Sequence, residues 1–272
     1  MSADFVTASC IGRRGEFGNQ LFQIAAVLGH AHRKGIEAVF RPWTCSLVGV
    51  RDYSVHYPNL NYRNHIHPLN TYEELRFAYD EIPSRPALDL IGSFQSEKYF
   101  LEIRDRVKEL FREPAAIGAE VTALLKTRNI SDYAVLQMRY NDRDGIDHNV
   151  LMHNLPEHYF IEAAKLLPKD GKIVIVTNSP TRGSLFAKRH LRDRDYLVSS
   201  SRNSLVDFYL ITRARAVVIS NSTFGWWGAY LNKNVDRVYA PLVRRWFGFP
   251  TRLDPRWSTE DLYPAHFVEV PF

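Results

Sequence analysis

A β-branched run, Val217-Val218-Ile219, stops at four small polar residues, Ser220, Asn221, Ser222 and Thr223, and continues as the aromatic, helix-like segment Phe224-Gly225-Trp226-Trp227-Gly228-Ala229-Tyr230-Leu231. The first turn of a helix leaves its N–H groups without intrahelical partners, so hydroxyls, an amide and free N–H groups gathered there are suited to face an anion. The same residues can also do no more than cap the helix, with Trp226 and Trp227 filling core. Arg139 closes a second apolar run, Ala134-Val135-Leu136-Gln137-Met138. Its guanidinium can fork onto a diphosphate there, or serve only in a surface ion pair.

These groups act together only if the elements between them bring the strand ends to one edge. From Tyr133 onward the chain alternates strand and helix patterns: a strand to Met138, a helix over 156–167, a buried strand over 173–176, a helix over 203–213, a strand over 216–219, a helix over 224–232 and a last strand over 237–240. That order predicts a parallel sheet with crossover helices. Ligands of such sheets bind outside the carboxyl ends of the strands, where Arg139, Thr177, Asn178 and Ser220 to Thr223 all fall.

The amino-terminal part is less regular. Residues 5–9 predict a first strand, and the glycines after it lead into a helix from about Gln20 to Lys34, with Leu21, Ile24, Ala25 and Leu28 at helical spacing. Gly12, Gly15 and Gly18 do not form G-x-G-x-x-G, so no dinucleotide is assigned to this turn. Residues 36–90 are rich in Tyr, Pro, Asn and His with little period, while 97–112 and 115–127 have helix-like patterns. There is no internal repeat.

The chain has 272 residues, 45% hydrophobic and 24% charged, which excludes wholesale disorder. A net charge of +5 calls for an anionic partner. Lys and Arg are scattered and no nucleic-acid motif interleaves them with aromatics, which argues against a nucleic acid and leaves a membrane surface and a nucleotide diphosphate both open. Two cysteines, Cys10 and Cys45, make no disulfide framework and lack zinc-ligand spacing, although a single bridge stays open. No apolar run is long enough to cross a bilayer and no signal peptide is evident. The chain as given reads as soluble and cytoplasmic, and a domain cut from a larger or membrane-anchored protein would read the same; oligomeric state is not legible.

Residues 220–227, Ser-Asn-Ser-Thr-Phe-Gly-Trp-Trp, resemble the SNSTFSWW signature of the α-1,2-fucosyltransferase family. Gly12-Arg13-Arg14-Gly15-Glu16-Phe17-Gly18-Asn19-Gln20-Leu21-Phe22-Gln23 resembles that family's GGLGNQLFQ, and residues 91–100, Ile-Gly-Ser-Phe-Gln-Ser-Glu-Lys-Tyr-Phe, its GYFQSEKYF. Three matches in family order span most of the chain, with more distant similarity to α-1,6- and protein O-fucosyltransferases. Residues 137–142, Gln-Met-Arg-Tyr-Asn-Asp, lie where the family carries HxRRxD; only the first arginine and the aspartate match. Tyr140 in place of the second arginine can donate a hydroxyl or stack on a ring, but it cannot replace a guanidinium charge.

The resemblance implies an α/β, GT-B-like fold: an amino-terminal domain over 1–130 on the acceptor side, and a Rossmann-like GDP-sugar domain over 131–272 with a carboxy-terminal return segment. It implies inverting transfer of fucose from GDP-fucose to a sugar hydroxyl, with no metal or other cofactor. Donor contacts would come from Gly18, Asn19, Gln20, Gln137, Arg139, Asn178, Asp207, Asn221, Ser222, Thr223 and Phe224. Asp207 matches the family's helix-borne aspartate, which looks like a guanine or ribose contact; without the resemblance it would read as a solvated helix residue. The proton from the acceptor hydroxyl calls for a carboxylate. Resemblance to the core-fucosylating relatives, whose proposed base lies at about this distance past the arginine pair, makes Asp147 the first choice, with Asp144 and Asp142 beside it, although loop aspartates also make Asx turns. The Asp-Arg-Asp triplets at 142–144 and 193–195 are discounted as metal sites, and the aromatic, polar 36–90 segment is a candidate acceptor region. Two alternatives remain: a glycosyltransferase using another nucleotide sugar, and a non-catalytic glycan- or nucleotide-binding relative.

Overall fold

The computed structural model describes residues 4–43, 53–141, 153–199, 201, 203–249 and 251–272. The chain divides into two compact units, Met1–Pro114 with Pro255–Tyr263, and Ala115–Asp254 with Pro264–Phe272. The division falls at 114/115 and not near residue 130, because α3 (Ala115–Thr127) packs on α6 (Ser204–Arg213) of the second unit. Arg213 on α6 donates to Gly118 O at 3.1 Å and to Thr122 Oγ1 at 2.9 Å.

The first unit is built on a four-stranded parallel sheet ordered β2-β1-β4-β3, formed by β1 (Phe5–Thr7), β2 (Glu37–Ala38), β3 (Asn70–Glu73) and β4 (Leu88–Ile91). Helix α1 (Phe17–Lys34) starts one turn before the predicted position and buries Leu21, Ile24, Ala25 and Leu28 as its spacing predicts. It ends on Gly35 at φ 64°, a left-handed cap that suits glycine. Gly29 lies against the turn at 97–99 so closely that a Cβ would stand 2.0 Å from Tyr99 O. Three strands hide in the aperiodic 36–90 segment: β2 has two residues, β3 alternates half-buried and exposed, and only β4 is a buried run. The 97–112 pattern breaks into two 3₁₀ turns, Glu97–Tyr99 and Leu101–Ile103, before α2 (Arg104–Leu110). The returning residues 255–263 are held here by Phe77 N–H to Arg256 O (2.6 Å), by Tyr79 N–H to Asp261 (3.0 Å) and by a Lys98–Asp261 ion pair.

The second unit is a six-stranded parallel sheet ordered β10-β9-β8-β5-β6-β7. Its strands are β5 (Tyr133–Met138), β6 (Lys172–Thr177), β7 (Tyr196–Val198), β8 (Ala216–Val218), β9 (Val238–Pro241) and β10 (Phe267–Val270). β5 is buried at all six positions, as a central strand covered on both faces must be. Helices α4 (Glu157–Lys165), α5 (Pro180–His190), α6 and α7 (Thr223–Tyr230) connect the strands. β7, β10 and α5 are additions to the predicted pattern; β9 is not the last strand. The chain runs outward from β5 through β6 to β7, then crosses back to lay β8, β9 and β10 on the other side. The sheet therefore has its topological switch between β5 and β8, the place where such sheets open a ligand crevice.

Candidate active site

The residues at the ends of β5 and β8 converge at this switch. Gln137, 3% exposed near the end of β5, accepts through Oε1 from Ser220 N–H at 2.9 Å and from Ser220 Oγ at 2.8 Å. A Cβ on Gly225 would stand 2.6 Å from that same Oε1, so the first turn of α7 approaches β5 only because residue 225 is glycine. The Gln137 carbonyl is thus engaged inside the protein.

Asn221 is fully buried and donates to His153 O (3.0 Å) and Trp246 O (3.1 Å). It braces the strand end and does not cap α7. Ser222 occupies the N-cap of α7 without a side-chain capping bond. Thr223 and Phe224 are half-buried, and Phe224 packs edge-on against Phe208 of α6 at 5.2 Å. Trp226 and Trp227 are core: both are fully buried, and Trp226 stacks on Tyr230 at 4.6 Å. The helix thus points an uncapped, half-accessible first turn at the switch while its tryptophans anchor the other end.

At the neighbouring strand ends, Asn178 locks the backbone of Tyr140 reciprocally: Tyr140 N–H donates to Asn178 Oδ1 (2.9 Å) and Asn178 Nδ2 to Tyr140 O (2.8 Å). Arg139 is half-buried, its Nε 3.4 Å from Asn141 Oδ1. Arg182, in the first turn of α5, lies over the Tyr140 ring with its guanidinium carbon 4.9 Å from the centroid. The second cation of this edge therefore comes from α5. Sequence reading passed over Arg182, although a signal existed: Ser179-Pro180 marks a helix start, and a basic residue in a first turn opposes the helix dipole.

Asn141 Nδ2 donates to His153 O at 3.1 Å, and Asn141 N–H to Asn154 Oδ1 at 2.7 Å, so residues 141 and 153 meet beside Asn221. Asp142, Asp144 and Asp147 lie between them, outside the described residues. Burial, and then the charges of Arg252 and Arg245, lower the pKa of His153. Asp207 accepts from Ser199 Oγ at the carboxyl end of β7; burial raises its pKa to about 7, partly offset by that hydroxyl. It is a partly desolvated carboxylate and not a solvated helix residue. The 193–195 triplet lies at the opposite edge, where Asp195 pairs with Lys172 at the start of β6 (3.0 Å). Among the described residues no group of three or more His, Cys, Asp or Glu is placed to hold a metal ion.

In the first unit the turn before α1 meets the turn after β4. Asn19 Oδ1 accepts from Gln95 Nε2 (3.0 Å), and Gln23 Nε2 donates to Gly92 O (3.0 Å) and Arg14 O (3.2 Å). Gly18 and Gln20 are buried, and Gln20 Nε2 serves Gly15 O at 3.1 Å; of the three predicted contacts only Asn19 is half-accessible. Glu74 accepts Ser93 N–H (2.6 Å) and Phe94 N–H (2.9 Å), holding Phe94 at φ 51°; burial raises its pKa to about 7 despite those amides and Arg14. Cys10 is a buried free thiol bonded to Leu90 O at 3.6 Å; Cys45 lies outside the described residues.

The fold and the sequence agree with known proteins. The structure of the α-1,6-fucosyltransferase NodZ co-crystallised with GDP superposes with a TM-score of 0.55 at 17% identity, covering 88% of this chain and 94% of that one; the same enzyme is described from Bradyrhizobium. POFUT1 in complex with GDP-fucose gives 0.51 at 9% identity, over 86% and 94% of the two chains. At these identities the likeness speaks for the fold, which is the GT-B-type α/β arrangement. An α-1,2-colitosyltransferase of Escherichia coli is 26% identical over 166 residues, 59% of this chain and 57% of that protein. The O-antigen biosynthesis glycosyltransferase WbnK of Escherichia coli is 37% identical over 54 residues, 19% and 18% of the two. The chain thus matches less than two thirds of the length of these curated relatives. Among the described residues no helix is long and apolar enough to cross a membrane. The model of the family described as Glycosyl transferase family 11 matches residues 11–241, from the turn before α1 to the end of β9. Because that match takes in most of the chain, the protein belongs to glycosyl transferase family 11.

Proposed function

We propose that this protein moves a fucosyl group from GDP-fucose to a sugar hydroxyl with inversion at the anomeric carbon, in the manner of an α-1,2-fucosyltransferase. The observation that carries the reading is the gathering along the carboxyl edge of the sheet of an uncapped helix turn after β8, Arg139 after β5 and the Arg182–Tyr140 pair at the β5/β6 strand ends. An edge with two guanidiniums and a helix N-terminus suits a diphosphate leaving group. As the acceptor oxygen bonds to the anomeric carbon, the bond from that carbon to the β-phosphate oxygen breaks and GDP departs with the electron pair. Arg139 and Arg182 stabilise the charge that develops on it, in place of a metal. Asp147, with Asp144 as the next choice, takes the acceptor proton. Asp207 receives N–H groups of the guanine or a ribose hydroxyl.

A second reading is favoured by one comparison, the colitosyltransferase relative. Colitose is fucose without its 3-hydroxyl, so a GDP-colitose donor would use the same diphosphate and guanine contacts. Titration calorimetry with GDP, GDP-fucose, GDP-colitose, GDP-mannose and UDP-sugars, followed by donor hydrolysis and a glycan acceptor screen, separates the readings. GDP binding with release of fucose supports the first and preference for GDP-colitose the second. UDP preference, or glycan binding without nucleotide, rejects both.

A further inference from the structure

A cavity of about 230 Å³ opens in the first unit beside the carboxyl ends of β1 and β2, apart from every residue assigned to the donor phosphates. Its lining combines Ser9 and two arginines, Arg13 and Arg41, with an apolar wall that includes Pro42, Trp43 and Ile66. Both guanidiniums are anchored by backbone carbonyls: Arg13 donates to Ser9 O through Nη2 (2.6 Å) and Nε (3.2 Å), and Arg41 Nη2 to Ile66 O (2.7 Å). Several other arginines of this protein meet carboxylates, as in Arg63–Glu37 (2.7 Å), Arg76–Asp80 (3.2 Å) and Arg215–Asp132 (2.9 Å). Among the described residues neither Arg13 nor Arg41 has such a partner, and the described lining includes no carboxylate. The nearby Asp89 is buried and accepts the Ser9 N–H at 2.7 Å.

Two positioned guanidiniums facing a space walled by an indole and prolines form a defined recognition surface. The apolar wall suits the C–H face of a pyranose, and the arginine N–H groups left over from their carbonyl bonds suit an anion. We infer that this cavity binds an acidic sugar, a pyranose bearing a carboxylate or phosphate. Taken with the glycosyl-transfer reading above, that makes the acceptor glycan an anionic one.

Titration of the intact protein with methyl glucuronide, methyl glucoside, glucose 6-phosphate and inorganic phosphate tests this. Saturable binding of the glucuronide or the sugar phosphate is expected, weakened by salt, with the glucoside at least about fivefold weaker. The stronger of the two acidic sugars identifies the anion. Arg13→Gln and Arg41→Gln should each weaken that binding about tenfold, while Arg41→Lys retains part of it and Arg63→Gln changes nothing. Thermal melts of each variant show that the fold persists, and GDP titrations of the same variants should be unchanged. Equal binding of glucuronide and glucoside, absence of binding by either acidic sugar, inorganic phosphate binding as tightly as the sugar phosphate, or variants that lose GDP in parallel would each overturn the inference. Acidic-sugar binding by a protein that ignores GDP would sink the donor reading and leave this one standing.

Discussion

The side-chain carbonyl of Gln137 accepts both the N–H and the hydroxyl of Ser220, at 2.9 and 2.8 Å, and so ties the end of β5 to the end of β8 across the switch point of the sheet. The family resemblance makes Gln137 a donor contact; in the fold its oxygen is a strut beneath the helix that follows Ser220. Gly225 is the third member, since any side chain there meets the same oxygen. Gly225→Ala should therefore destabilise the protein by about 1–3 kcal/mol, read from urea denaturation, and weaken GDP binding by displacing the first turn of α7. Adding Gln137→Ala should recover part of the loss; strict additivity of the two changes would show that they do not share this contact.

In the proposed mechanism Arg139 and Arg182 divide the cationic work at the edge. Arg139→Ala should weaken GDP binding about tenfold or more and lower turnover further, as expected for a charge-assisted contact that strengthens in the transition state. Arg182→Ala should weaken it by a smaller factor, on the order of threefold to tenfold. Tyr140→Phe keeps the ring and should change little, while Tyr140→Ala should resemble Arg182→Ala. GDP binding by Arg139→Ala at the wild-type level would place the diphosphate elsewhere.

Asp207 links pH to both stability and nucleotide affinity. Its folded pKa, raised by burial to about 7 from 3.8, means that the native state holds this proton longer than the unfolded chain does. Stability from this group therefore falls as pH rises from about 4 to about 7. The carboxylate that forms over the same interval is the better acceptor for guanine N–H groups, so GDP affinity should rise through it. Asp207→Asn should flatten both trends, which denaturation and calorimetry at about pH 5 and about pH 8 would reveal. An unchanged rise in GDP affinity in the variant would remove Asp207 from the guanine site.

Turnover should survive EDTA and gain nothing from manganese or magnesium, because the proposed mechanism takes its countercharge from arginines and a helix terminus. Activity abolished by the chelator and restored by a divalent ion would reject the mechanism as drawn.

Asp147→Asn should lower turnover while leaving GDP affinity nearly intact, since a proton acceptor acts on the acceptor hydroxyl and not on the nucleotide. If Asp147→Asn turns over normally and Asp144→Asn does not, the base is Asp144.

The amino-acid sequence by itself determined most of the second unit. β6 is a β-branched run and β5 an apolar one interrupted only by Gln137, long enough to announce buried parallel strands, and the polar residues after β8 mark a strand end wherever it lies. It also determined α1, whose apolar spacing and Gly35 cap are local signals. What it left open is decided by partners distant in the chain. β2 and β3 are short and partly exposed, so they become strands only by pairing with β1 and β4, and no periodicity can register that. Asn221, Gln20 and Gln137 are polar side chains whose type suggests a ligand contact, but each is directed to a particular group of the protein itself: His153 and Trp246, Gly15, and Ser220. Arg182 shows the converse. It stands 43 residues after Arg139 in the chain, and only the pairing of β5 with β6 brings it over Tyr140, because a parallel sheet aligns strand ends that the sequence keeps far apart.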